Sequence, residues 1–165
     1  MQVSKHLAIG SLIAGTLLLA GCVAQQQAAH ARGAEAQVLE KQLAKAGHDA
    51  VFICKNKTVC DKAFALTKVY VQQSADMKIQ VIDSTTVQTY TSNEPGRISL
   101  GAVRLPSADD SEIVRLTAGC KGLNDAGGFE LCANQMTAIF EGFTPFVGDR
   151  MQAGDLTFTA EPVKK

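Results

Sequence analysis

Residues Met77–Cys120 read MKIQVIDSTTVQTYTSNEPGRISLGAVRLPSADDSEIVRLTAGC, and this stretch decides the fold. Met77-Lys78-Ile79-Gln80-Val81-Ile82 alternates apolar with polar, the period of a strand with one buried face. Asp83-Ser84 supplies a turn, and Thr85 to Thr91 is rich in the Thr, Val and Tyr that suit a pleated surface. Asn93-Glu94-Pro95-Gly96 is a strong turn. Ile98, Leu100, Ala102-Val103 and Leu105 form the next strand, closed by Pro106. Asp109-Asp110-Ser111 turns the chain again, and Ile113, Val114, Leu116 and Ala118 lead into Cys120. Short connections between consecutive strands predict antiparallel pairing.

Helical periodicity flanks this β region on both sides. Upstream, Ala36, Leu39, Leu43 and Ala44 recur at helical spacing, with Gly47 placed as a C-terminal stop. Ala50 to Cys54 is a short apolar strand. Thr58-Val59-Cys60-Asp61 resembles a capping box with Asp in place of Glu. The helix it opens carries Val59, Ala63, Leu66, Val69 and Tyr70 on one face and runs to about Gln73. Downstream of a glycine-rich loop, Lys121 to Gly128, the residues Met136, Ile139, Phe140 and Phe143 fit i, i+3, i+4, i+7. That predicts a last helix, broken near Gly142 and Pro145. The order is that of an α+β domain: an antiparallel sheet of four to five strands with helices on one face. Such a sheet can keep its second face for water or for a partner.

The N-terminal stretch sets the address. Lys5 precedes an uncharged apolar run, Leu7 to Ala20, that ends in Leu19-Ala20-Gly21-Cys22 and passes at once to Gln25-Gln26-Gln27. At 14 residues the run is short of the roughly 20 that a spanning helix needs, and its features are those of a secretory signal peptide. The segment resembles the lipobox of bacterial lipoproteins. The resemblance implies cleavage before Cys22, acylation of its sulfur and of the new amino group, and anchoring in a lipid bilayer through several acyl chains. In such lipoproteins an aspartate after the cysteine retains the protein at the inner membrane. Here Val23 and Ala24 follow, which implies the outer membrane, with the folded part facing the periplasm. The expected organisation is therefore a signal peptide at 1–21, a lipidated tether at 22–35 and a single domain at 36–165. As a flexible coil the tether from Val23 to Ala34 would span roughly 20 Å.

Removing residues 1–21 leaves 144 of 165 residues, one domain's worth, with 15 Lys and Arg against 16 Asp and Glu. That balance gives no electrostatic reason to bind nucleic acid. Of five cysteines, Cys54, Cys60, Cys120 and Cys132 remain after Cys22. An even count in an exported chain favours disulfides, with three possible pairings. Cys54 and Cys120 each end a strand; Cys60 and Cys132 each open the helix that follows. That symmetry predicts Cys54–Cys60 and Cys120–Cys132, each a staple between a strand end and the next helix. The spacings C-x₅-C and C-x₁₁-C do not suit zinc, and no C-x-x-C exists for a thioredoxin-like centre.

Catalytic patterns fare no better. The chain has no G-x-S-x-G and no H-E-x-x-H. His30 falls in the tether and His48 at a helix end, and Asp109-Asp110 fits a solvated turn beside Pro106-Ser107. No catalytic, cofactor-binding or metal-binding residue is predicted, and the chain is read as a non-enzyme. The remaining signal is the C-terminal aromatic group of Phe129, Phe140, Phe143, Phe146 and Phe158. Most of these are expected in the core, since aromatic side chains bury large areas, and Phe143, Phe146 and Val147, where the chain runs past the predicted helix, are the candidate partner surface. The function expected is an accessory or structural subunit of a cell-envelope complex, with an envelope protein as partner. The alternative is an inhibitor or ligand-binding module, for example of a cell-wall lytic enzyme, presenting the loop Lys121 to Phe129.

Overall fold

The computed structural model describes residues 33–107, 111–125 and 127–153. Cys22, His30, Asp109, Asp110 and Phe158 lie outside the described residues. A helix α1 (33–49) leads into β1 (Val51–Cys54), α2 (Lys57–Ser74), β2 (Ile79–Ile82), β3 (Thr86–Thr89), β4 (Ile98–Pro106), β5 (Glu112–Cys120) and α3 (Phe129–Ala153). From Leu39 onward the residues form one compact unit. The strands make one five-stranded antiparallel sheet in the order β1-β5-β4-β3-β2, an α+β fold with the helices packed against it. The long pair β4–β5 is its spine, in register from Ile98 opposite Cys120 to Pro106 opposite Glu112.

Strand alternation builds the core. Val87, Ile98, Leu100, Ala102, Val114 and Leu116 all fall on one face and are buried. They meet Ala63, Phe64, Leu66, Tyr70 and Val71 of α2, and Met136, Phe140, Phe143 and Val147 of α3. Each large side chain fully buried there stabilises by about 1.5–3 kcal/mol. Thr89 is wholly buried too, and is satisfied: its hydroxyl donates to the Leu100 carbonyl and accepts from the Leu100 amide.

Three local expectations are corrected. The helix α2 is capped by Asn56, whose side chain accepts from the Val59 amide at 2.9 Å, so it starts a turn before Cys60-Asp61. Its buried face is Cys60, Ala63, Phe64, Leu66, Thr67, Tyr70 and Val71, with Val59 and Val69 only half-buried. The bond from Cys60 to the end of β1 fixes that rotation. The helix α1 continues past Gly47 to residue 49, and Gly47 is not in the left-handed region. Its role is clearance, because a Cβ there would sit 3.3 Å from the Phe140 ring.

The third correction concerns α3, which runs unbroken through Gly142 and Pro145. Proline inside a helix removes the amide bond to the residue four before it, here the carbonyl of Glu141. Glu141 and Pro145 are both exposed, so water can serve that carbonyl. Phe143 and Val147, both wholly buried on the opposite side, anchor the helix across the defect. Gly142 lets Tyr70 pass: a Cβ there would lie 2.8 Å from the Tyr70 hydroxyl, which donates to the Ile139 carbonyl.

Candidate functional site

The cysteines stand where their symmetry places them. Cys54 bonds Cys60 with Cα atoms 5.3 Å apart, and Cys120 bonds Cys132 with Cα atoms 5.7 Å apart. Each bridge ties the last residue of a strand to the first turn of the next helix. The sulfurs of Cys54 and Cys60 cluster with the Glu112 carboxylate within 4.8 Å. Both sulfurs are committed to the disulfide, which leaves no thiolate there to ligate a metal.

Of the candidate partner surface, Phe143 and Val147 take the core position also expected for this aromatic group, and Phe146 lies at its margin. Phe143 and Val147 are wholly buried in the core, because α3 continues and carries them inward. Phe146 is half-buried, with its ring centroid 4.9 Å from that of Tyr70 and the Arg150 guanidinium 3.7 Å over its other side. Those contacts are internal packing. His48 is exposed beside Asp49, at 3.0 Å, and Lys45 pairs with the same carboxylate. A groove of about 440 Å³ lies between α1 and α3, walled by Ala46, Phe140 and Pro145 and rimmed by Gln42, Lys45 and Glu141. Its charged groups are solvated helix side chains, with no nucleophile held against a base.

A different apolar surface emerges from the sheet. The face away from the core carries the odd-numbered residues of β4 and β5, and pairing aligns them in rows. Ile53, Ile113 and Leu105 form one row across β1, β5 and β4. Val51, Arg115, Val103 and Thr86 form the next, across four strands. Thr117, Gly101 and Gln88 follow, with Val81 beyond. Ile53 is 64% exposed and Leu105 45%. Arg115 is the only formal charge in these rows. Toward the other end of the strands the face sinks into a shallow depression of about 180 Å³ lined by Gln88, Ser99, Gly101, Thr117 and Gly119. Side chains at Gly101 or Gly119 would fill it, since a Cβ would meet the Thr117 hydroxyl at 3.0 Å or the Ser99 hydroxyl at 2.9 Å. The outer face is thus flat, apolar at one end and polar at the other.

Beside the apolar end, on the core side, sits a charged cluster. Arg104, its side chain 11% exposed, hydrogen-bonds the Glu112 carboxylate and reaches Asp61 at 2.7 Å; Lys57 also contacts Asp61 at 3.0 Å. The hydrogen bond from Arg104, then that from Lys57, holds the Asp61 carboxyl below the usual carboxylate range. Glu112 above all keeps the Arg104 guanidinium charged. The cluster joins the start of α2 to the β4–β5 end beside the Cys54–Cys60 bridge, a structural clamp at the place where Ile53, Ile113 and Leu105 are presented.

No protein-family model matches the chain, and neither a curated protein nor a solved structure is significantly similar to it.

Proposed function

We propose that this chain is a lipid-anchored, non-enzymatic accessory subunit of a cell-envelope complex, holding a protein partner on the outer face of its sheet. The observation that carries the reading is the apolar row Ile53, Ile113 and Leu105, exposed at Ile53 and Leu105 and half-buried at Ile113, beside a half-apolar second row. A soluble domain gains nothing by exposing β-branched and aliphatic side chains side by side, whereas an interface uses such a patch as its dry centre. Support for acylation at Cys22 is the Leu19-Ala20-Gly21-Cys22 string, and support for the outer membrane is Val23-Ala24 in place of an acidic residue after it. Among the described residues, no helix is long and apolar enough to cross a membrane.

The test pairs two variants of the full-length chain. Cys22→Ser should abolish fatty-acid labelling and release the protein from membranes. Leu105→Glu should cut recovery of partners from detergent-solubilised envelope at least several-fold, while circular dichroism and the unfolding midpoint stay within about 0.5 kcal/mol of wild type. Recovery unchanged by Leu105→Glu removes the sheet face from the proposal. Recovery of a single lytic enzyme, lost on altering Lys121 instead, supports the inhibitor reading.

A further inference from the structure

The geometry points to self-association through the free edge of β2: two copies of this chain pair their β2 strands antiparallel about a two-fold axis, making one continuous sheet. The strand Ile79-Gln80-Val81-Ile82 is the terminal strand of the sheet. It carries no charge and no proline, two of the devices by which edges are protected, and is instead short and irregular in register at Ile79/Val81. Ile82 pairs with Val87, whose side chain is wholly buried, so it points to the helix-bearing side of the sheet. Yet Ile82 is 56% exposed, with no element among the described residues covering it.

The backbone of β2 is set for an outside partner. The Asp83 amide donates to the Thr86 carbonyl at 2.9 Å, and the Lys78 carbonyl accepts from the Tyr90 amide at 3.0 Å. Those two residues therefore face β3. A shift of register between Ile79 and Val81 lets residues an odd number apart do so. By alternation the amides and carbonyls of Ile79 and Ile82 turn to the free edge. A two-fold register that pairs Ile79 with Ile82 of the second copy satisfies all of them, and places the two isoleucines side by side on the uncovered strip.

The same register decides the charges. It sets Lys78 of each copy opposite Asp83 of the other, twice per dimer by symmetry. Both side chains are exposed, and Lys78 has no ion-pair partner among the described residues. Asp83 Oδ1 is occupied by the Thr85 and Thr86 amides at 2.7 and 2.8 Å, which fixes the carboxylate at the strand end. Opposite charges facing across strands favour that register. The opposite edge, β1, is less open: the Thr144 hydroxyl approaches the Asp49 and Val51 carbonyls at 3.5 Å.

Zero-length carbodiimide coupling of the full-length protein in detergent tests this, using an equal mixture of ¹⁴N- and ¹⁵N-labelled chains. The expected product is a Lys78–Asp83 linked peptide containing one label of each kind. Within one chain the two residues lie at opposite ends of an extended strand and cannot couple. Ile82→Pro keeps both reacting groups and the pairing with β3, but removes an edge amide twice per dimer. It should lower the mixed-label product at least about five-fold without changing the circular dichroism spectrum. Absence of the mixed-label peptide overturns the proposal, and so does its survival in Ile82→Pro. Coupling of Lys78 to a different envelope protein also overturns it and assigns the edge to that protein.

Discussion

Replacing Gly142 by Ala should destabilise this protein, although the same change in an ordinary helix stabilises. Inside a helix Ala is favoured over Gly by about 1 kcal/mol. Against this stands Tyr70. A Cβ at position 142 would lie 2.8 Å from the Tyr70 hydroxyl, closer than such contacts occur, so the ring must move. It has nowhere to go: Tyr70 is 7% exposed and packs against Phe143 and Phe146, with ring centroids 5.6 and 4.9 Å away. Displacing it breaks the hydrogen bond to Ile139 and loosens the aromatic contacts, a loss of about 2–3 kcal/mol. The net expectation is destabilisation by about 1–2 kcal/mol. Tyr70→Phe removes the clashing oxygen, and the next nearest atom, Cζ, is at an ordinary 3.9 Å. In that background Gly142→Ala should stabilise by about 0.5–1 kcal/mol, so the two changes couple by about 2–3 kcal/mol. Urea unfolding of the four proteins of this cycle, followed by far-ultraviolet circular dichroism, measures it. Gly142→Ala stabilising the wild type would refute the argument that Tyr70 dictates the glycine.

The charged clamp and the staples give two more expectations. Asp61 and Asp83 have carboxyls held below the ordinary range, Asp61 chiefly by Arg104 and Asp83 by the amides of Thr85 and Thr86. Groups depressed on folding contribute stability that is present above the unfolded value near pH 4 and is lost as pH falls from there through the lower folded value. The urea midpoint should therefore drop from pH 5 to pH 3. Asp61→Asn should flatten that drop and leave the part due to Asp83; an unchanged slope would show that Asp61 has no role in it. Losing Cys54–Cys60 (as Ala pair) should cost about 2 kcal/mol and losing Cys120–Cys132 nearly 3 kcal/mol, since the second closes the longer loop, with sequence separations of 6 and 12. Unfolding midpoints give the order, and non-reducing peptide mapping should find those two linkages and no Cys54–Cys120 peptide.

What was legible in the sequence, and what was not, divides by the range of the cause. Strand existence, the α+β class and both disulfides rest on local signals: alternation from Met77 onward, turns at Asn93-Glu94-Pro95-Gly96, and cysteines set at strand ends and helix starts. The cap at Asn56 was also local, and was displaced by the competing Thr58 pattern only two residues away. The misreading of α3 depends instead on a distant element. Pro145 and Gly142 signal a break when α3 is read alone, and Tyr70 and a core around Phe143 and Val147 keep the helix whole. Once α3 continues, Phe143 and Val147 go inward. The outer face had a signal that went unused. In β4, Ile98, Leu100 and Ala102 take one parity while Val103 and Leu105 take the other, so the strand is apolar on both sides toward its end. Ile113 beside Val114 repeats this in β5. A strand with one solvated face has no need of the second apolar set. Two neighbouring strands that change from one-sided to two-sided at the same level, beside an Arg104–Glu112 clamp that joins that end to α2, are the local signal from which the apolar end of the outer face could have been read.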